Sequence, residues 1–222
     1  MLYRIYKLFR SFFYPERCPY CYKRIEYNKI ACDECRGQFP KTYSINYAKG
    51  GYICCSPFFY QGIFADAVKR LKFNQFTQSS EKLAAVLEDC VRKSYNIEEI
   101  DLITFVPMHR KDYSDRGYNQ AELLAKDLAR KLKITCEKTL IKHKRTAPQH
   151  ECLSSAKRRD NVKGAYKVIE KKKPKLKGKT ILVIDDILTT GYTMGECCKT
   201  LEKCSNSRVI CATVCAKNDI YT

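Results

Sequence analysis

Apolar residues along this chain recur at two spacings, and the alternation between them divides it into elements. Over residues 1–14, Leu2, Ile5, Leu8 (or Phe9), Phe12 and Phe13 fall at helical intervals, with Arg4, Lys7 and Arg10 between them. Such a stripe packs on its own domain or lies on a membrane surface. Residues 41–60, with Tyr43, Tyr47, Tyr52, Phe58, Phe59 and Tyr60, alternate as one or two strands of a connecting segment would. From residue 61 onward helices and strands take turns. Phe64, Ala67, Val68 and Leu71 mark one helix, and residues 79–94 a second. Residues 101–108 form a short, β-rich run that predicts a buried strand. Ala121, Leu124, Ala125, Leu128 and Leu132 predict an amphipathic helix over 118–133. Residues 180–184 then predict a strand, 193–204 a helix and 208–216 a closing strand. This succession predicts an α/β fold with a mostly parallel sheet and flanking helices. Residues 140–163 are polar and basic without a clear period, and are expected to form a long loop.

The 222 residues leave room for one α/β domain plus a small appended module. The expected division is an N-terminal helix and zinc module over 1–40, a connector over 41–60 and the α/β domain over 61–222. Hydrophobic residues make up 45%, which supports a packed core and argues against wholesale disorder. No window approaches the ~20 apolar residues that span a bilayer, so stable membrane insertion is not expected. Residues 1–15 lack a signal peptide's continuous apolar run and small-residue cleavage site. The expected location is cytoplasmic, with peripheral attachment at the inner face of the membrane left open. The formal net charge is +18, which attracts polyanions such as nucleic acid, anionic lipid or a highly phosphorylated small molecule.

Four of the fourteen cysteines form a pattern: Cys18-Pro-Tyr-Cys21 and Cys32-Asp-Glu-Cys35. Each knuckle can place two sulfurs on one metal, and the two complete a closed, structural four-cysteine zinc site. A redox Cys-x-x-Cys pair would need only one of them. A zinc ion with four thiolates lowers the net charge by two, to about +16. The other ten cysteines are expected to act as small core hydrophobes.

Residues 179–193 carry the most chemical information. A buried apolar strand ends in Asp185-Asp186, a Thr/Gly loop follows (Thr189, Thr190, Gly191), and a helix begins near Met194. Ligands of open α/β sheets bind at the carboxyl ends of strands. A helix N-terminus behind a glycine loop offers free N–H groups and a positive dipole end to a phosphate. Paired acids beside such a pocket suit sugar hydroxyls or a divalent metal. The bland alternative is a strand–turn–helix whose polar residues only cap the helix. Upstream, Val106-Pro107-Met108-His109-Arg110 and Arg116-Gly117-Tyr118-Asn119-Gln120 end a second strand and open a helix. Asn119 is either a helix cap or a ligand group, and Arg116 either binds phosphate or pairs with Asp112 or Asp115.

The segment 179–193 resembles the phosphoribosyl-pyrophosphate (PRPP) signature of type I phosphoribosyltransferases. The resemblance implies that Asp185 and Asp186 hold the ribose hydroxyls, with Mg2+ accompanying PRPP. Thr189, Thr190, Gly191, Tyr192 and Thr193 would cradle the 5′-phosphate, and His109, Arg110 and Arg116 the pyrophosphate. Arg145, Gln149, Arg158 and Arg159 would belong to a flexible loop over the pyrophosphate. The same basic loop could instead follow a nucleic-acid backbone or be a solvated surface. Taken in order, Val106-Pro107, residues 116–120, Gln149, residues 159–166, the Asp185-to-Thr193 run and the cysteine pairs resemble the ComF (ComFC) competence family. That resemblance covers nearly the whole chain. It implies a role in natural transformation, handling incoming single-stranded DNA in the cytoplasm alongside DNA-uptake proteins. An enzymatic alternative transfers ribose 5-phosphate from PRPP to a nitrogen acceptor, and a third possibility is a PRPP-sensing regulator. Lys171, Lys172, Lys173, Lys175, Lys177 and Lys179 are read as a solvated loop, with stacking aromatics beside them as an option for DNA.

Overall fold

The computed structural model describes residues 16–26, 28–73, 76–146 and 155–217. The expected helix over 1–14, Cys152 and Gln149 lie outside them, as does the side chain of Arg158. In chain order the elements are α1 (Asp33–Arg36), β1 (Ser44–Ala48), β2 (Tyr52–Ser56), β3 (Phe58–Phe59), α2 (Gly62–Phe73) and α3 (Ser79–Ser94). They continue with β4 (Leu102–Phe105), α4 (Arg110–Arg116), α5 (Gln120–Leu132), β5 (Leu140–Lys142) and α6 (Ser155–Val162). The last are β6 (Tyr166–Val168), α7 (Lys173–Leu176), β7 (Thr180–Leu188), α8 (Tyr192–Ser205) and β8 (Arg208–Ala216).

The main sheet runs β1-β2-β8-β7-β4, with β3 pairing β8 beyond the end of β2. Every pairing is parallel except β1 with β2. Residues 41–60 therefore form three strands, joined to the sheet through Cys54↔Cys211 and Phe58↔Cys215. A separate antiparallel pair, β5 with β6, lies to one side.

Period-2 alternation on the central strand divides the core. Leu182 and Ile184 of β7 face Leu83, Leu87, Leu124 and Leu128 of α3 and α5, whereas Ile181 and Val183 face Met194, Cys197 and Leu201 of α8. All of these are nearly inaccessible to solvent, and each such Leu or Ile contributes about 1.5–3 kcal/mol of burial. Seven of the cysteines expected in the core (Cys54, Cys55, Cys90, Cys197, Cys198, Cys211, Cys215) are buried and unbridged. Cys136 is half-buried, and Cys204 is exposed.

Three segments differ from expectation. β7 does not stop at Ile184 but continues to Leu188, because β8 accompanies it through Ile187↔Cys215 and Leu188↔Ala216 after β4 has turned away. Residues 140–163 are not one loop. Leu140 is buried and pairs with Val168 to make β5, and α6 anchors itself through buried Val162. The lysine run is a 3-10 turn followed by α7, pinned by buried Leu176. Three of its lysines are ion-paired: Lys172 to Glu137 at 2.5 Å, Lys173 to Glu170 at 2.8 Å and Lys179 to Asp101 at 2.7 Å.

Candidate ligand cleft and metal site

β4 pairs with β7 only as far as Phe105↔Ile184, and Val106 N–H closes on the Ile184 carbonyl at 3.0 Å. Beyond that point the β4 side of β7 is open, and the two acids turn to their own backbone. Asp185 Oδ1 accepts the Asp186 N–H and Asp186 Oδ1 accepts the Ile187 N–H, both at 2.9 Å. Consecutive strand residues point to opposite faces. Asp186 accordingly meets α5, where Gln120 Nε2 donates to its Oδ2 at 3.2 Å. Asp185 lies toward Tyr166, Lys142 and Cys197.

The acids form the floor of two adjoining cavities of about 870 and 550 Å3. Both cavities share Lys72, Phe73, Arg116, Asp185, Asp186 and Thr193. The larger extends under Pro107, Met108 and Tyr118 to Lys142, Arg145 and Tyr166. The smaller extends past Ile187, Leu188, Thr189, Thr190 and Gly191 to Tyr60 and Lys217. Gly191 has φ 73, which a residue with a side chain adopts only under strain. A Cβ there would also press to 3.0 Å of the Ala48 and Lys49 backbone. A hydrogen bond holds the two segments together, the Lys49 N–H donating to the Gly191 carbonyl at 3.2 Å. The β1–β2 hairpin thus buttresses the loop and the first turn of α8.

Burial, reinforced by its acidic neighbour, holds the Asp185 carboxyl well above the ordinary carboxylate range. Burial also lowers Lys142 and raises Tyr166. Lysines and arginines line the walls, and a floor of acids favours either a proton or a ligand that donates hydrogen bonds. A molecule carrying both hydroxyls and phosphates matches that arrangement.

The cleft brings together Asp185, Asp186, Thr189, Thr190, Gly191, Thr193, Arg116 and Arg145. Arg116 lines the cleft as a phosphate ligand would, and its Nη1 donates to Gln120 Oε1 at 2.7 Å, while the alternative pairing with Asp112 or Asp115 does not occur among the described ion pairs. Asn119 caps α5, accepting the Ala121 N–H at 3.0 Å. Other residues lie apart from the cleft lining. His109 caps α4, its Nδ1 accepting the Lys111 N–H at 3.3 Å, and Arg110 is exposed beside it. The ring of Tyr192 sits under the Lys49 ammonium at 5.6 Å. Arg159 is exposed and pairs with Asp160 at 3.2 Å. Lys72, Phe73, Tyr60 and Lys217 were not anticipated. The sequence marks only that Phe73 lies off the apolar stripe of α2; that it is 64% exposed at the cleft appears in the structure.

The four sulfurs of Cys18, Cys21, Cys32 and Cys35 all lie within 4.8 Å of one another. Zinc–sulfur bonds of about 2.3 Å in a tetrahedron require sulfurs about 3.8 Å apart, so these residues fit one ion held by four thiolates. The Cys35 backbone N–H lowers the Cys32 thiol, whereas burial raises Cys21 and Cys35, so an ion would have to displace protons from those two sulfurs. The knuckle is tied to the domain at its base. Arg70 Nη1 donates to the Pro19 and Tyr20 carbonyls at 3.1 and 2.6 Å, and Tyr20 packs edge-on against Phe39, Phe58 and Phe64.

Residues 119–221 match the family model described as the phosphoribosyl transferase domain. Over 200 residues the chain is 29% identical to competence protein F of Haemophilus influenzae, covering 89% of this chain and 82% of that protein. The chain is thus similar to competence protein F over most of its length, and its C-terminal part to phosphoribosyltransferase domains. A 133-residue match of 32% identity links it to DNA utilization protein YhgH of Salmonella typhimurium, covering 58% of this chain and 56% of that one. A crystal structure of adenine phosphoribosyltransferase superposes over 80% of this chain and 85% of its own, with 14% identity and a TM-score of 0.39. α2 and β1–β4, and with them Lys72 and Phe73, precede the residues matched by the domain model. No helix among the described residues is long and apolar enough to cross a membrane.

Proposed function

We propose that this competence-related protein binds PRPP with Mg2+ in the cleft and handles incoming single-stranded DNA in the cytoplasm during natural transformation. One observation carries the ligand: two consecutive acids of β7, just past the point where β4 leaves it, form the floor of both cavities, beside a glycine loop that opens α8. Asp185 and Asp186 would accept the ribose 2′- and 3′-hydroxyls. Thr189 to Thr193 would hold the 5′-phosphate by backbone and hydroxyl donors. Arg116, with Lys72, Lys142 and Arg145 on the walls, would neutralise pyrophosphate; His109 and Arg110 would need to swing inward to join them. The same two acids would hold Mg2+, which would neutralise phosphate charge. The four-cysteine site would hold zinc as a structural ion. The DNA role is supported by the net charge of +18 and by the names of the relatives.

The two cavities flanking one acid pair favour a second reading, a phosphoribosyl transfer in which PRPP fills one cavity and a nitrogen acceptor the other. No protein nucleophile is required. The acids hold the ribose of an oxocarbenium-like transition state while the cations stabilise departing pyrophosphate. Calorimetry of PRPP with Mg2+, with pyrophosphate measured in the same sample, separates the two. Saturable binding without release supports a bound ligand, and acceptor-dependent release supports transfer. Unchanged PRPP affinity in a folded Asp185→Ala/Asp186→Ala protein would refute the site.

A further inference from the structure

We propose that single-stranded nucleic acid lies on an exposed track of aromatic rings and guanidinium groups running from the metal knuckle to the cleft rim, its bases stacked on Tyr22, Phe76 and Phe73. The proposal rests on the DNA-handling reading above and assigns that partner a surface.

Tyr22 is 46% exposed and Phe73 64% exposed, unlike the buried rings of Tyr20 and Phe58 a short distance away. Tyr22 meets Phe76 edge-on, with ring centroids 5.3 Å apart. The Arg17 guanidinium lies 4.5 Å from the Tyr22 centroid, and the Arg116 guanidinium 5.5 Å from that of Phe73. Phe73 and Phe76 are three residues apart, so their Cα atoms are separated by no more than about 11 Å. A few nucleotides of extended strand cover that span.

The backbone of Tyr22 supplies an independent pointer. Its φ is 68, a left-handed conformation that strains a bulky side chain and that, among the described residues, is otherwise adopted by glycines, Asn28, Asn206 and the helix-ending Lys133. The knuckle imposes it, through the Tyr22 N–H on the Cys18 carbonyl at 2.9 Å. A large ring held outward at local cost, under an arginine, is what a stacking platform requires.

The pairing of each terminal ring with a cation selects the occupant. Bases stack on any aromatic face, while phosphates between them meet the guanidinium groups. An apolar protein partner would have to bury those same charges without compensation. The track is also continuous with the cleft, since Lys72, Phe73 and Arg116 line both cavities.

The chain contains no tryptophan, so Tyr22→Trp installs a single reporter on the track. In the full-length, zinc-loaded protein, a short oligothymidylate should quench that fluorescence and PRPP with Mg2+ alone should not. An oligouridylate run in parallel shows whether the track distinguishes deoxyribose from ribose strands. The Tyr22→Ser/Phe76→Ser protein should bind the oligothymidylate about ten-fold or more weaker, with PRPP affinity unchanged, because neither residue lines the cleft. Unchanged strand affinity in that variant, with PRPP binding intact, overturns the track and leaves the DNA reading standing. A wild-type chain that binds PRPP but no strand overturns both. Quenching by anionic vesicles and not by the oligonucleotide overturns the track in favour of a lipid surface. Should the double variant also lose PRPP affinity, quenching in Tyr22→Trp decides the matter.

Discussion

Gln120 donates its side-chain amide to Asp186 at 3.2 Å, across the floor of the cleft. Its other end accepts from Arg116 at 2.7 Å, so one neutral side chain connects the acid of the floor to the cation of the wall. Arg116 in turn faces the Phe73 ring. The first turn of α5 therefore sets the separation between a hydroxyl acceptor and a phosphate donor, and Asn119 fixes that turn by capping it.

Removing this link should weaken the ligand without unfolding the chain. Gln120→Ala leaves Asp186 without its side-chain donor and frees Arg116. Hydrogen bonds to charged groups are worth about 1.5–3 kcal/mol, so PRPP affinity by calorimetry should fall about ten- to hundred-fold. Equal affinity in the variant would mean that Arg116 and Asp186 are positioned by other contacts.

Asp185 should destabilise the unliganded fold at neutral pH. Its carboxyl is held above the ordinary carboxylate range by burial and by Asp186, so the folded chain retains a proton that the unfolded chain releases. Stability then declines as pH rises from about 4 toward the folded value. Asp185→Asn keeps the oxygen that accepts the Asp186 N–H and removes the charge. We expect a higher Tm at pH 7, with a flatter stability–pH profile and loss of PRPP binding. A lower Tm at pH 7 would contradict this.

A Cβ at position 195 would land on the Lys49 carbonyl oxygen. Gly195→Ala should push the β1–β2 hairpin off α8, costing about 1–3 kcal/mol in denaturant unfolding. It should also weaken phosphate binding, since the hairpin supports Gly191. Gly117→Ala, which has open space around it despite φ 82, serves as a control for strain without a clash.

Purified protein should carry one zinc per chain by elemental analysis. Chelation, or Cys32→Ser, should unfold the knuckle and expose Tyr20, whose ring packs on Phe39, Phe58 and Phe64. Near-ultraviolet dichroism and thermal denaturation read this. A metal-free chain with unchanged Tm would remove the structural role of the ion.

Much of the fold was legible because one periodicity dominated each segment. The helix over 79–94 and the strand over 208–216 have the boundaries their apolar patterns predict. The cysteine knuckles were legible from spacing alone, and the sulfurs converge. The end of β7 was not legible: two charges looked like a strand's end, yet a parallel neighbour carries the backbone four residues farther. Elements such as β5 and α6 were hidden because each is short and its sequence carries no clear apolar period. The rim contributed by Lys72 and Phe73 was hidden because it meets Asp185 and Asp186 only through the tertiary fold. His109 resembled a phosphate ligand by its place after a strand, but the start of α4 uses it as a cap.

β8 is flanked on one side by β7 and on the other by β2 and β3, and eight of its nine residues are buried. A fragment starting at residue 61 would strip away that second neighbour and leave a long, oily, unpaired backbone edge, the kind that zips molecules together. Shortened versions of this protein should therefore precipitate rather than yield a minimal unit, and material for crystallisation or binding work needs the hem supplied by residues 44–59.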